Sequence, residues 1–310
     1  MKAQYFILLL IGLLLLISGH VNAQGCADAG FCTAGPLQSG RSEADSVKYA
    51  YNIGMSFSLG LAERGTVVAI PQLETGYSIG GGLLEVKLPL VIAYGDKGSH
   101  TGIGDIVCTY SGTIAQLPRN SKLIAALGAR IGLGTANATD SKGMGLPMPY
   151  QSNLGTTDLI AGIALSGKYL KTSLGFQQPL VQYNRNDFVP NVIYTANGGV
   201  DDYFASRQLQ RKGDLLLRAE ASYSWRRFAV SGGPLVIYHL GKDRIGLQDG
   251  RQIVLQGSDG ITLNLAGSLN YKAGAWKPEF SFGSPVIVRE YRADGLTRAF
   301  VATLRLTRYF

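Results

Sequence analysis

The chain has 310 residues, a net charge of +8, 41 glycines and only 16% charged residues. The charges are dispersed, with no basic run and no row of stacked aromatics, so the composition argues against nucleic-acid binding. A glycine- and tyrosine-rich, weakly charged chain suits instead a protein that turns an apolar face outward.

Residues 1–23 read as a signal peptide. Lys2 gives a short basic start, an apolar run extends from Tyr5 to Ser18, and Val21-Asn22-Ala23 offers a small-residue cleavage site before Gln24. Residues 24–46 read as a periplasmic N-terminal segment of Gly, Pro, Ser and acidic residues. The sequence fits either a free extension or a small plug folded into a barrel mouth. Cys26 and Cys32 lie six apart here and could pair in an oxidising compartment. Past the cleavage site no histidine lies near them, so no metal is expected there, and no other cofactor is expected.

Past the signal peptide no run of about 18 apolar residues occurs, so transmembrane helices are not expected. Residues 47–310 alternate strands with turns. In the first strand Tyr49, Tyr51, Ile53, Met55, Phe57, Leu59 and Leu61 fall on one face, while Asn52, Gly54, Ser56, Ser58 and Gly60 fall on the other. Strict alternation of this length is a strand signature that a helix does not produce. Comparable runs recur from Thr66–Ile79 to Arg298–Phe310, giving about twelve strands of roughly 10 to 14 residues, the length of a tilted membrane strand. Short connections (Gly80-Gly81-Gly82, Gln116–Ser121, Leu170-Lys171, Arg226-Arg227, Lys272–Ala275) alternate with longer ones (Ala62–Gly65, Gly95–Thr101, Thr135–Thr157, Asn184–Gly213, Leu240–Gly260, Glu290–Thr297). The predicted fold is all-β: an antiparallel transmembrane β-barrel of about 12 strands with short periplasmic turns and longer extracellular loops.

The period of two also places the charges. Glu74, Glu85, Lys87, Arg130, Lys168, Arg218, Glu220, Glu279 and Arg305 all fall on the inward face, and these are the candidate lumen-lining residues. Tyr77, Tyr169, Tyr223, Trp225, Tyr271, Trp276 and Tyr309 cluster toward the short-turn rim, with Tyr94, Tyr183 and Tyr238 toward the loops, as two aromatic girdles would. Prolines interrupt several strands. Pro89, Pro179, Pro234 and Pro285 recur in strands running toward the long loops, and Pro71 lies beside Pro89 in a strand running the other way. Proline cannot donate to a ladder, so each marks an expected kink or bulge.

The last strand, Arg298 to Phe310, has an apolar face and a small or polar face that carries Arg305. A terminal strand ending on an aromatic residue resembles the closing strand of bacterial outer-membrane β-barrels, and that resemblance implies that Phe310 is read by the barrel-assembly machinery. With the kinked strands, the layout over 47–310 also resembles outer-membrane channels for hydrophobic compounds, notably the long-chain fatty acid transporter family and the related barrels linked to aromatic-compound degradation. The resemblance implies a location in the outer membrane of a Gram-negative bacterium, contact with outer-membrane lipid and passage of a small-molecule solute.

Two functions follow from this reading. One is a passive channel for small, possibly hydrophobic, solutes, with a sideways exit at the kinks of Pro71 and Pro89. The other is a structural or surface-binding barrel that uses its long loops. A hydrolase needs histidine paired with a nucleophile and an orienting partner. The exported chain has only His100 and His239, in no such motif, and no catalytic residue is assigned.

Overall fold

The computed structural model describes residues 37, 49–190, 203–295 and 298–310. The predicted signal peptide, Cys26 and Cys32 lie outside the described residues. The strands are β1 (Tyr51–Ala62), β2 (Val67–Ile79), β3 (Gly82–Gly95), β4 (Gly98–Ile103), β5 (Ile106–Leu117), β6 (Ser121–Ile131), β7 (Thr156–Ser166), β8 (Leu170–Gln182), β9 (Asp214–Trp225), β10 (Phe228–His239), β11 (Arg244–Gly246), β12 (Gln252–Val254), β13 (Gly260–Tyr271), β14 (Trp276–Ile287) and β15 (Arg298–Tyr309).

β4 and β5 make one span divided at Gly104-Asp105, since β3 pairs with β5 over Gly82–Lys87 and with β4 over Leu90–Gly95. Counted this way, twelve antiparallel spans follow one another around the sheet, and β11 with β12 forms a separate hairpin in a loop. β1 pairs with β2 on one side and with β15 on the other, from Asn52↔Tyr309 to Leu61↔Phe300. The sheet therefore closes on itself as an antiparallel barrel.

The period of two sorts the side chains as the sequence pattern requires. On β1, Tyr51, Ile53, Met55, Phe57, Leu59 and Leu61 are exposed, whereas Asn52 and Ser56 are buried. On β9 the contrast falls between neighbours: Leu216 is wholly buried and Leu217 is 54% exposed. An apolar outer wall around a polar interior is the inverse of a soluble protein, and it defines a transmembrane barrel.

One stretch departs from the sequence pattern. The residues read as a loop at Gly95–Thr101 instead turn tightly at Asp96-Lys97 and return as β4. Ser99, His100 and Thr101 stand above the apolar belt, so neither face needs to be hydrophobic and the alternation that marks a strand is missing. Tyr309 and Tyr183 also leave the predicted girdles. Tyr309 is buried on the inward face. Tyr183 turns to donate its hydroxyl to the Gly132 carbonyl at 2.8 Å.

At the short-turn rim, Gly80 and Gly81 both adopt left-handed backbone (φ 58 and 79), the conformation a two-residue hairpin needs to match strand twist. Arg226 in the β9–β10 turn takes the same region at φ 53, as does Arg119 at φ 60. At the other rim the loops fold into a packed cap. Leu146, Tyr150, Phe188 and Tyr203 bury themselves against Val68 and Ala93 of the wall. Met148, Leu154, Leu209, Ile245, Leu255 and Ala293 form a second apolar cluster.

Each recurring proline falls at a ladder irregularity. Pro89 stands where β3 changes partner from β5 to β4, and its carbonyl accepts from the Gly104 N–H at 2.8 Å. Pro179 and Pro285 sit at register shifts against β7 and β13. Pro234 occupies a gap in the β9–β10 register. On β2 the pairing with β3 runs to Ala69↔Ile92 and resumes at Gln72↔Pro89, skipping Pro71.

Leu127 lies at the middle of the outward face of β6 and is exposed. Leu127→Arg is expected to destabilise the folded barrel by about 2–4 kcal/mol, read as a lower urea midpoint in lipid vesicles. An unchanged midpoint would mean that this face does not meet hydrocarbon.

Candidate functional site: lumen and mouth

The inward residues gather into two polar walls. On the side built by β1, β2, β3, β14 and β15, Arg305 bridges two carboxylates. Its Nε lies 3.0 Å from Glu74 Oε1 and its Nη1 3.1 Å from Glu279 Oε1. Ser56 and Gln72 each donate to Glu74 Oε1 at 2.9 Å, and Lys87 Nζ stands 4.0 Å from Glu74 Oε2. Glu85 is buried on β3 beside Lys87.

On the opposite side Arg130 Nη2 meets Asp105 Oδ2 at 2.6 Å, and Gln177 donates to Asp158. Arg218 and Glu220 are buried on β9. Every charge here faces the lumen for the reason the sequence pattern gave, since the outer face is hydrocarbon. Asn264 is buried on the inner wall with no partner for either amide atom among the described residues, so it offers a donor and an acceptor to what fills the lumen.

Lys168 does not join these residues. It lies in the turn between β7 and β8, fully exposed, with its ammonium 4.9 Å above the Tyr169 ring. The alternation that placed it inward had already ended at Ser166, because a turn residue no longer obeys strand periodicity.

One residue of the N-terminal segment, Leu37, lies inside the barrel. It is wholly buried against the inward side chains Val107, Ile160, Leu216 and Leu235. Arg218 donates from its guanidinium to the Leu37 carbonyl. A Cβ on the inward Gly162 would come 2.8 Å from Leu37 Cδ2, so the absence of a side chain there makes room for the leucine. Sequence reasoning had no signal for this contact, because it joins positions 181 residues apart.

At the mouth a chain of buried charges ties strand ends to loops. His239 stands between two aspartates, with Nδ1 2.6 Å from Asp214 Oδ1 and Nε2 2.8 Å from Asp243 Oδ1. Both ring nitrogens can satisfy carboxylates only as donors, so the ring is held as imidazolium. Both ring nitrogens are thus turned to carboxylates and not to a serine hydroxyl. Arg211 continues the chain, its Nη2 3.1 Å from Asp214 Oδ2 and 3.5 Å from Asp294 Oδ2, and Arg289 Nη2 lies 2.8 Å from Asp294 Oδ2. Burial pushes the Asp294 carboxyl up, but Arg289 and Arg211 outweigh it and hold the group well below the usual carboxylate range. Burial likewise opposes charge on Arg211, and Asp214 with Asp294 reverses that.

A second knot joins Asp96 Oδ1 to the hydroxyls of Tyr203 at 2.6 Å and Tyr150 at 3.1 Å, with Thr66 2.8 Å from Tyr203. Burial and the bond to Asp96 push the Tyr203 phenol up, so it stays a donor.

The closed cylinder, apolar outer belt and asymmetric rims make this chain an outer-membrane β-barrel of a Gram-negative bacterium. No family model matches the sequence, and no curated protein matches it. Among solved structures, the NanC porin is similar at 9% identity and a TM-score of 0.43, over 84% of this chain and 99% of that one. The CymD monoaromatic hydrocarbon channel is similar at 9% identity and a TM-score of 0.41, over 94% and 99%. The toluene transporter TodX of P. putida is similar at 9% identity and a TM-score of 0.41, over 92% and 94%. At these identities the likeness is one of architecture alone.

His239→Ala leaves Asp214 and Asp243 buried with one partner fewer, and is expected to cost about 3–5 kcal/mol, measured by thermal melting in detergent. Asp294 gives a pH dependence. With its folded pKa depressed, its stabilising effect is complete above the ordinary carboxylate value of 3.8 and is lost as pH falls below it. Melting temperature should therefore drop less between pH 5 and about pH 3 in Asp294→Asn than in the parent chain.

Proposed function

We propose that the protein is a channel for passive passage of small solutes across the outer membrane. The observation that carries this reading is the inner wall, where charged and amide side chains from nearly every strand face a common axis, with apolar packing gathered around Leu37. A barrel of twelve strands lies between small barrels that side chains fill and the 16-stranded porins that hold an open aqueous bore. Carboxylates and guanidinium groups neutralise one another along the walls, which favours small and weakly charged solutes over ions.

Residues 24–46 act in this reading as a small plug, supported by Leu37 seated against Ile160, Leu216 and Leu235 and held by Arg218. The Pro71–Pro89 region is the proposed sideways exit for apolar solutes, supported by the missing ladder pairs between Ala69↔Ile92 and Gln72↔Pro89. A surface-binding role without transport is the second reading, favoured by the packed loop cap over the mouth.

Planar-bilayer recording separates the two. The channel reading expects discrete conductance steps that become larger or more frequent in Leu37→Ala, whereas a chain silent in both forms would leave the surface-binding role. For the sideways exit, Pro71→Val with Pro89→Val should slow uptake of an apolar solute into proteoliposomes. Equal uptake by the two proteins would remove that route.

A further inference from the structure

The outer wall carries a feature that passage through the lumen does not use. A groove of about 600 Å³ runs along the lipid face, lined by Met55, Phe57, Tyr271, Phe280, Leu304 and Leu306 among others. A barrel wall is convex, and a dent of this size in its apolar belt has the chemistry and the volume to take part of an acyl chain.

The end of the groove nearest the short turns is basic. Arg308 is the next outward position on β15 after Leu304 and Leu306, and it pairs across the ladder with Trp276. Its guanidinium lies 5.3 Å above the Trp276 ring and 4.6 Å above that of Phe310. Arg227 sits in the β9–β10 turn, immediately below Phe228 and Tyr271 of the groove wall, where its carbonyl accepts from the Lys272 N–H at 2.8 Å. Elsewhere on the rim, Arg226 stands 5.2 Å above Trp225 and Lys168 4.9 Å above Tyr169. The short turns 80–81, 118–120, 167–169, 226–227 and 272–275 contain no aspartate or glutamate. Cations stacked on interfacial aromatics at headgroup depth attract phosphate.

We infer that this groove binds an anionic phospholipid of the inner leaflet, its acyl chain along Phe280, Leu304 and Leu306 and its headgroup at the basic rim that Arg308 on β15 and Arg227, three strands away beside β10, flank. The two halves of the site support each other through register. Leu304, Leu306 and Arg308 share the outward face of β15, and Phe280 pairs with Leu304 on β14, so a lipid seated there meets both the apolar lining and the cation.

The chain has two tryptophans, so Trp225→Phe leaves Trp276 as the sole reporter beside the groove. The full chain in this background is reconstituted in phosphatidylcholine vesicles doped with brominated phosphatidylglycerol or, in parallel, brominated phosphatidylcholine. Quenching of Trp276 is normalised to unbrominated vesicles. Half-maximal quenching is expected at a mole fraction of phosphatidylglycerol roughly fivefold or more below that of phosphatidylcholine, from about one basic group's worth of attraction each at Arg308 and Arg227. The advantage should vanish in Arg308→Gln with Arg227→Gln, persist in Arg308→Lys with Arg227→Lys, and shrink in 1 M salt. Equal quenching by the two lipids would overturn the inference, and so would a preference that survives the glutamine pair.

Discussion

Hydrocarbon offers no hydrogen bonds, and that single fact governs this molecule. Each strand that crosses the apolar belt must find partners for its N–H and C=O groups within the sheet. Twelve spans can do so only if the first meets the last, and the β1–β15 ladder from Asn52↔Tyr309 to Leu61↔Phe300 is that meeting. Closure fixes the rest. Alternate side chains are driven outward into lipid, the others are confined to a shared interior, and the connections divide into tight turns on one rim and long loops on the other.

Confinement then dictates the electrostatics. Charges excluded from the outer wall cannot disperse as they do on a soluble surface, so they meet on the inner wall. Arg305 between Glu74 and Glu279 is one outcome, and the pairing of Arg130 with Asp105 is another. At the mouth the same crowding makes a relay of His239, Asp214, Arg211, Asp294 and Arg289 that fastens two strand ends to two loops. Buried ionic groups of this kind are poor contributors to net stability but costly to break one partner at a time. They hold the loops in one arrangement over the opening.

Much of the wall was legible in the sequence because a period of two has only two phases. Once Leu217 had to face lipid, Arg218 and Glu220 had to face inward, and the structure places both there. The same logic failed at Lys168, where the chain was already turning, and at Ser99–Thr101, which pair as a strand above the belt and therefore carry no apolar signature. The mouth relay was partly within reach. A two-residue turn at Arg226-Arg227 fixes the β9–β10 register, and that register sets His239 opposite Asp214. The partners from loops, Arg211, Asp243, Arg289 and Asp294, were not readable, since no periodicity constrains where a long connection folds. Leu37 in the lumen is the extreme case, a contact whose only trace in the sequence is a glycine at 162.

The ring stack of Tyr51 on Phe310, with centroids 4.6 Å apart, sits where the two ends of the sheet join. Until that join forms, any partly built wall presents two unpaired edges, and no internal hairpin can satisfy either of them. Construction of this cylinder is thus a problem of custody: the β1 edge has to be shielded from water, lipid and other chains through the making of eleven further spans. A mutation that weakens the seam would accordingly show itself in the yield of closed barrels more than in the endurance of those already closed.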